Sequence, residues 1–474
     1  MMARPAGVPG RGRRGTSPAG VPGRGRQEDP AGVPGRGRQR RNSALDRRIV
    51  AIAVPAFFAL VSEPLMLLAD TAIVGHLGTA ELGGLAIAST VLLTVVGLCV
   101  FLAYGSTATV GRLHGAGRER DAFAGAVGGL WLAVAVGMLL AVVVAVVAAP
   151  VSGALTESAE VARHGRTYLL VSAAAVPAML RVLAATGALR GVLDLRTPLV
   201  VTVAANVLNV VLNLVLVHGV GWGVAGSAAG TALAQWAAAV WLSVVVLRRA
   251  RHSGASPRPR PGPVLAAARD GLPLLARTAT LRAALLLATA VAATFGEVPL
   301  AAHQVATALV SFLAFGMDAV AIAGQTLTGR TLGSGDAQAT QDVTRRLDVW
   351  GVGVGVMAGL LVAAVAPFAG AWFAPDDPAV GDALLPALLV VALVQPVSGV
   401  VFVLDGVLIG AGDGRYLAWA GLVTLAVYAP LALLVGALGA GLVWLWAAYG
   451  VFQAARLATL WWRRRGTAWM VLGA

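Results

Sequence analysis

The chain has 474 residues, of which 58% are hydrophobic and only 12% charged, and its mean hydropathy is +0.80. Soluble domains carry about 25% charged residues, so this composition excludes one. The formal charge of +14 comes from 36 arginines, with no lysine, against 22 acidic residues. Its placement in the amino-terminal tail and in alternate loops predicts orientation in a bilayer rather than nucleic-acid binding.

The first element is a tail, residues 1–44, in which PAGVPGRGR occurs at Pro5, Pro18 and Pro30. So much Pro, Gly and Arg buries too little apolar area to offset chain entropy, which predicts disorder. The first 41 residues contain no apolar core of a cleavable signal, so the first crossing reads as its own insertion signal.

Twelve long apolar stretches then run from about Ile49 to Trp462. Each spans the roughly 30 Å hydrocarbon core, which takes about 20 helical residues. Runs such as WLAVAVGMLLAVVVAVVAA from Trp131 are continuously apolar and lack the alternation of a barrel strand, so the fold class is an all-α integral membrane protein. Arginine marks GRLHGAGRER at 111, ALRGVLDLR at 188, LRRARHSGASPRPRPG at 247, GRTLGSGD at 329 and the WWRRR end, whereas the intervening loops are neutral or acidic, with Arg163 and Arg166 the main exceptions. The positive-inside rule then puts both termini in the cytoplasm of a multi-pass protein of the cell inner (plasma) membrane. Cys99, the single cysteine, lies within an apolar run and excludes an intrachain disulfide.

The chain also matches itself. At an offset of 218, Pro55 falls on Pro273, Gly78 on Gly296 and VGRLHGAG (110–117) on TGRTLGSG (328–335). RGVLDLR (190–196) matches IGAGDGR at an offset of 219, and Gly223 and Gln235 return to 218 against Gly441 and Gln453. This predicts a six-helix lobe over 45–250, a cytoplasmic linker over 251–263 and a second six-helix lobe over 264–474. Six is even, so the lobes enter the membrane alike, related by a pseudo-two-fold axis along its normal with a cleft between them.

PLMLLADTAIVGHLGTAELGGLAIAS (64–89), NVLNVVLN with GVAGSAAGTALAQ (206–235), AAHQVATALVSFLAFGMDAVAIAGQTLTGRTLGSGD (301–336) and FVLDGVLIGAGD (402–413) resemble the multidrug and toxic compound extrusion (MATE) transporters, in their DinF-type branch. The resemblance covers about 46 to the end and implies a twelve-helix antiporter of two six-helix lobes. Such a protein exports small organic, often cationic, compounds in exchange for protons or sodium by alternating access. It implies no cofactor and no metal, and the chain reads as a monomer in the lipid bilayer.

Ionisable groups at membrane depth cost at least about 2.5–3.5 kcal/mol, which makes each a functional candidate. Glu63 and Asp70 lie seven residues apart on the first helix, hence on one face. Asp70 matches the Asp of the family's "DT" pattern, which the resemblance assigns to a proton- or cation-responsive network. Glu63, preceding Pro64, is an alternative partner for kinked backbone. Asn206, Asn209 and Asn213 share one face of the fifth helix, and Thr231 matches a family threonine of the same network. Where relatives often carry Asp, this chain has Asn213, which hydrogen-bonds but takes up no proton in this range. In the second lobe Arg282, Asp318 and Asp405 are expected to pair, with direct contact between Asp405 and a cationic substrate as the alternative.

No GxxxxGK[ST] phosphate loop, HExxH or Cys/His cluster is present, which argues against an ATP-driven or metal-dependent enzyme. The rival reading is a lipid-linked-precursor flippase of the same superfamily, whose cleft would carry arginines for pyrophosphate. The four depth acids Glu63, Asp70, Asp318 and Asp405 count against it.

Overall fold

The computed structural model describes residues 34–473, with side chains from residue 41. The repeats at Pro5 and Pro18, and the start of the third, therefore lie outside the described residues. The first helix begins at Pro34, so residues 34–44, assigned by composition to the tail, are helical.

Every described element is helical. In chain order they are α1 Pro34–Gly75, α2 Thr79–Gly115, α3 Glu119–Ala154, α4 in two segments Ala159–Ala173 and Val176–Gly191, α5 Arg196–Gly219 and α6 Gly223–His252. The second set is α7 Pro261–Thr294, α8 Glu297–Gly333, α9 Ala337–Phe373, α10 Pro378–Gly410, α11 Gly414–Ala437 and α12 Leu442–Arg465. Ten of these are long and apolar enough to span a membrane alone, and α4, bent by 52° at its break, makes the eleventh. The twelfth, α12, has 24 residues; Gln453, Arg456 and Arg463 to Arg465 lower its apolar character.

The internal duplication is visible in backbone packing. Gly187 on α4 lies so near α2 that an added Cβ would stand 2.2 Å from the Ala103 carbonyl, and Gly406 on α10 meets the Ala321 carbonyl of α8 at 2.3 Å in the same way. Those are equivalent positions, since 187 + 219 = 406 and 103 + 218 = 321. Between the lobes, Gly115 abuts the Arg330 carbonyl and Gly333 the Arg112 carbonyl, with would-be Cβ distances of 2.2 and 1.9 Å. Since 112 + 218 = 330 and 115 + 218 = 333, this reciprocal contact straddles the pseudo-two-fold axis.

The change of offset from 219 to 218 has a structural cause. The last turn of α5, Leu214–Gly219, is π-helical. A π-bulge absorbs one extra residue in a helix. The first lobe is one residue longer between Arg196 and Gly223 than the second between Arg415 and Gly441.

The lobes meet at the arginine-rich end of the bundle. One apolar cluster runs through the first lobe and continues into that half of the second, through Leu274, Leu327, Leu347, Val407 and Leu417. A separate cluster, with Ala292, Ala306, Leu388, Tyr428 and Phe452, is confined to the opposite half of the second lobe. Polar straps reinforce the shared end. Arg112 donates to the carbonyls of Ala411, Val471 and Gly473 at 2.8–3.0 Å, and Arg346 holds Asp46 through two bonds of 2.6 Å, with Trp350 Nε1 at 2.8 Å. Residues 253–260 connect the lobes and lie against α3, where Trp131 Nε1 donates to the Pro257 carbonyl at 3.3 Å.

Candidate coupling site and central charge cluster

Asp70 is 2% exposed on α1, five residues before the helix ends at Gly75 and so about 7.5 Å inside it. Asn213 Nδ2 donates to Asp70 Oδ1 at 2.6 Å and lies 3.5 Å from Asn209 Oδ1, while Asn209 Nδ2 donates to Thr231 Oγ1 at 2.8 Å. The fully buried face of α5 thus forms a relay between α1 and α6. Among the described residues no arginine pairs with Asp70, and the Asn213 amide is the one hydrogen-bond donor to its carboxylate.

Two further residues complete this site. Tyr168 on α4 is buried near Thr231 and Ser227 and lies in the field of Asp70. Gly230 gives Asn213 its room, because a Cβ there would stand 2.1 Å from Asn213 Oδ1, a buried atom that has no partner. Neither carried a depth-charge signal in the sequence; the i, i+4 pairing of Gly226 with Gly230 beside Thr231 was the available hint.

Glu63 stays outside the relay. Pro64 follows it, its side chain is exposed, and no hydrogen bond reaches it among the described residues. The backbone beside Pro64 is served instead by Asn206, whose Nδ2 donates to the Ser62 carbonyl at 2.8 Å. The sequence alternative that gave this task to Glu63 is therefore corrected.

The pairing expected in the second lobe also requires correction. Arg282 meets neither Asp318 nor Asp405; it is exposed, with its guanidinium against Gly97 of α2. Asp405 instead receives Arg277 on both oxygens, Nη2 on Oδ2 at 2.5 Å and Nε on Oδ1 at 3.2 Å, and Arg456 Nη2 shares Oδ2. The reason lies in helix geometry: residues five apart on α7 point about 140° from one another, so only one of Arg277 and Arg282 can face α10. Asp318 has no ion pair among the described residues; it lies in the field of Arg277, Arg190 and Arg456.

This cluster occupies the seam between lobes. Arg190 of α4 and Tyr104 of α2 face it from the first lobe, with the Arg277 guanidinium 6.0 Å from the Tyr104 ring centroid. Gln325 Nε2 of α8 donates to the Tyr104 carbonyl at 2.9 Å. Three arginines against two acids give an excess of positive charge. The sequence hides these arginines because Arg190 and Arg456 stand near arginine-rich helix ends, whereas α12 continues nine residues, about 13 Å, beyond Arg456. Among the described residues no three His, Cys, Asp or Glu side chains group to hold a metal ion.

Comparison with known proteins decides the family. The MatE family model matches residues 55–215 and 273–434, one match in each lobe. DNA damage-inducible protein F of Escherichia coli K12 is 30% identical over 451 residues, covering 89% of this chain and 94% of its own. The chain belongs to the MatE family. The chloroplastic protein DETOXIFICATION 44 of Arabidopsis thaliana is 31% identical over 440 residues, 88% of this chain and 81% of that one. Among solved structures, a point mutant of the Vibrio cholerae MATE transporter VcmN superposes with TM-score 0.81 at 19% identity, covering 90% of this chain and 99% of that one. A MOP-superfamily transporter from Pyrococcus furiosus gives TM-score 0.80 at 19% identity, covering 90% and 96%. The MatE family and this fold are those of multidrug and toxic compound efflux transporters, not enzymes, and such proteins move small organic compounds across membranes.

Proposed function

We propose that this chain is a secondary active efflux antiporter of the plasma membrane that exports small organic compounds in exchange for protons or sodium, with Asp70 as its coupling acid. The observation that carries this reading is the isolation of Asp70: a carboxylate buried at membrane depth, held by Asn213 and by no cation of the described residues. An uncompensated buried carboxylate is costly when ionised, so it gains from taking up a proton or a small cation and loses when that ion leaves. The amide relay transmits that change to α5 and α6. Rocking of the lobes about the Gly115/Gly333 contact then supplies alternating access, and the tight packing at the arginine-rich end makes the present conformation closed on that side.

By the positive-inside rule that end is cytoplasmic. With Cys99 buried as background, a cysteine placed at exposed Thr467 is expected to react only with reagents that reach the cytoplasm, and one at exposed Asp377 only from outside. Opposite labelling overturns the orientation. The coupling ion is read by dye efflux from everted vesicles under an imposed pH gradient or an imposed sodium gradient; no response to either ends the antiport reading.

The arginine excess at the seam favours a second reading, a flippase for lipid-linked pyrophosphate. Against it, two of the three arginines are committed to Asp405. Gradient-independent translocation of a lipid-linked pyrophosphate in proteoliposomes would establish it.

A further inference from the structure

We infer that the cavity in the second lobe is a binding subsite for a flat, uncharged aromatic group that carries hydrogen-bond acceptors, the aromatic end of an exported compound. It has a volume of ≈ 140 Å³ and is lined by His303, Phe402, Tyr428, Trp446, Tyr449 and Gln453 among others. A dry cavity of about 150 Å³ in another protein takes up benzene, so the space is of a size for a small flat aromatic group.

The lining is built for a ligand rather than for packing. His303, Tyr428 and Trp446 are 3%, 0% and 5% exposed, yet His303 Nδ1, Tyr428 Oη and Trp446 Nε1 have no hydrogen-bond partner. An indole N–H only donates, so the occupant must supply an acceptor. Aromatic surfaces surround the space, with Trp446 edge-on to Tyr449 at 5.4 Å and His303 tilted against Trp446 at 5.5 Å. No arginine, aspartate or glutamate lines it, so an isolated ion would enter without a counter-charge. The charged end of a compound stays outside: Gln453, on the wall, accepts from Arg456 Nη1 at 3.0 Å, and Arg456 pairs with Asp405.

The duplication explains how the space arose. Asp70 corresponds to Ala288 (70 + 218), Thr231 to Tyr449 (231 + 218) and, ahead of the π-helical turn, Asn209 to Tyr428 (209 + 219). All three counterparts line the cavity. In the first lobe Asn209 bonds Thr231 and Asp70 is held by Asn213. In the second, the small Ala288 leaves room and the tyrosines border it.

The inference rests on the export reading for the source of the ligand, but binding needs no gradient, so the two fail separately. The test is saturable binding of tritiated coumarin, a flat uncharged ring system with a lactone carbonyl, to the purified full chain in lipid nanodiscs. Trp446→Phe, which keeps the ring and removes the N–H, should weaken binding about five- to tenfold, the worth of one hydrogen bond. Ala288→Leu, or Ala314→Leu should the first misfold, should abolish it by filling the space, whereas Met138→Leu, on the exposed face of α3, should leave it intact. Naphthalene, of similar outline without an acceptor, should not compete. Absence of saturable binding, or binding indifferent to both filling variants, would show a cavity that holds ordered water only and overturn the inference. Coumarin bound by a chain that exports nothing sinks the export reading alone.

Discussion

The two lobes share a backbone and differ in what they bury. At equivalent places in the repeat the first lobe has Asp70, Asn209 and Thr231, and the second has Ala288, Tyr428 and Tyr449. The first set is a hydrogen-bonded relay around a carboxylate; the second is an aromatic cavity. The second lobe keeps its acid elsewhere, at Asp405, and neutralises it with Arg277 and Arg456. Duplication followed by divergence has thus separated an acid that meets no cation of the described residues from an acid paired to two arginines.

The largest effect should come from breaking the first. Asp70→Asn imitates the neutral carboxyl permanently, so the protein should insert and fold while gradient-driven dye efflux drops to background. Ala288→Asp added to that variant should not restore export, because Tyr428 and Tyr449 offer no amide relay at the equivalent place. Near-parental efflux by Asp70→Asn would move the coupling role out of the first lobe.

Breaking the pinned acid should instead show as lost stability. Asp405→Asn leaves two deep arginines without their carboxylate, and disrupting a buried pair costs about 3–5 kcal/mol. Asp318→Asn breaks no ion pair and should cost far less. Thermal melting of the detergent-purified variants checks the order; equal losses would mean that Asp318 carries a share of the arginine charge that its geometry does not show.

A smaller effect tests the packing behind the relay. Gly230→Ala puts a Cβ 2.1 Å from Asn213 Oδ1 and must displace the amide. Overpacking of this kind costs about 1–3 kcal/mol. Export should fall together with stability, and Gly230→Ala with unchanged export would mean that the Asn213–Asp70 bond is dispensable.

Much of this architecture was legible because the bilayer allows few solutions. The apolar stretches marked out the crossings, α12 least clearly, and the ordered matches of Gly78, Gly117 and Gly223 with Gly296, Gly335 and Gly441 disclosed the repeat; all six have φ between +56° and +154°, which favours residues without a Cβ. The amide face of α5, with Asn209 and Asn213, was legible too, since residues three and four apart must share a helix face, whereas its place beside Asp70 and Thr231 rested on the family resemblance. Pairing across helices was not. Which of Arg277 and Arg282 reaches Asp405 depends on helix rotation, and hydropathy is indifferent to rotation. The aromatic cavity was hidden for another reason: Tyr428 and Trp446 read as ordinary apolar bulk until their polar atoms were found without partners. The π-helical turn left a one-residue change of offset, a signal that has no meaning before the helices are placed.

The smallest expected effect compares the lobes at their most alike point. Asp194 and Asp413 occupy equivalent bends (194 + 219 = 413), each followed by a helix and each paired to an arginine, Arg249 and Arg463. The bend at Leu193 has φ +64° in the first lobe, where the second uses Gly412 at +75°. Burial opposes ionisation of Asp194, but the Thr197 backbone N–H and hydroxyl, at 3.1 and 2.8 Å, together with Arg249, outweigh it and hold the carboxyl below its usual range. Asp194→Asn preserves a good cap for α5 and removes the charge, so its cost should be about 0.5–1 kcal/mol, discounted because Arg249 is more than a third exposed. A carboxyl whose folded pKa is depressed contributes above its unfolded pKa of about 3.9 and loses the contribution as pH falls through the folded value. The melting difference between parent and Asp194→Asn should therefore be flat from pH 5 to about 8 and shrink only below about pH 4. Asp413→Asn lacks the Thr197 contacts but loses Arg463 Nε at 2.6 Å, with that guanidinium 4.9 Å from the Tyr416 ring centroid. It should cost a comparable amount, and a difference that grows as pH falls from 8 to 5 in the Asp194 variant would mean that the pair is not what holds the bend.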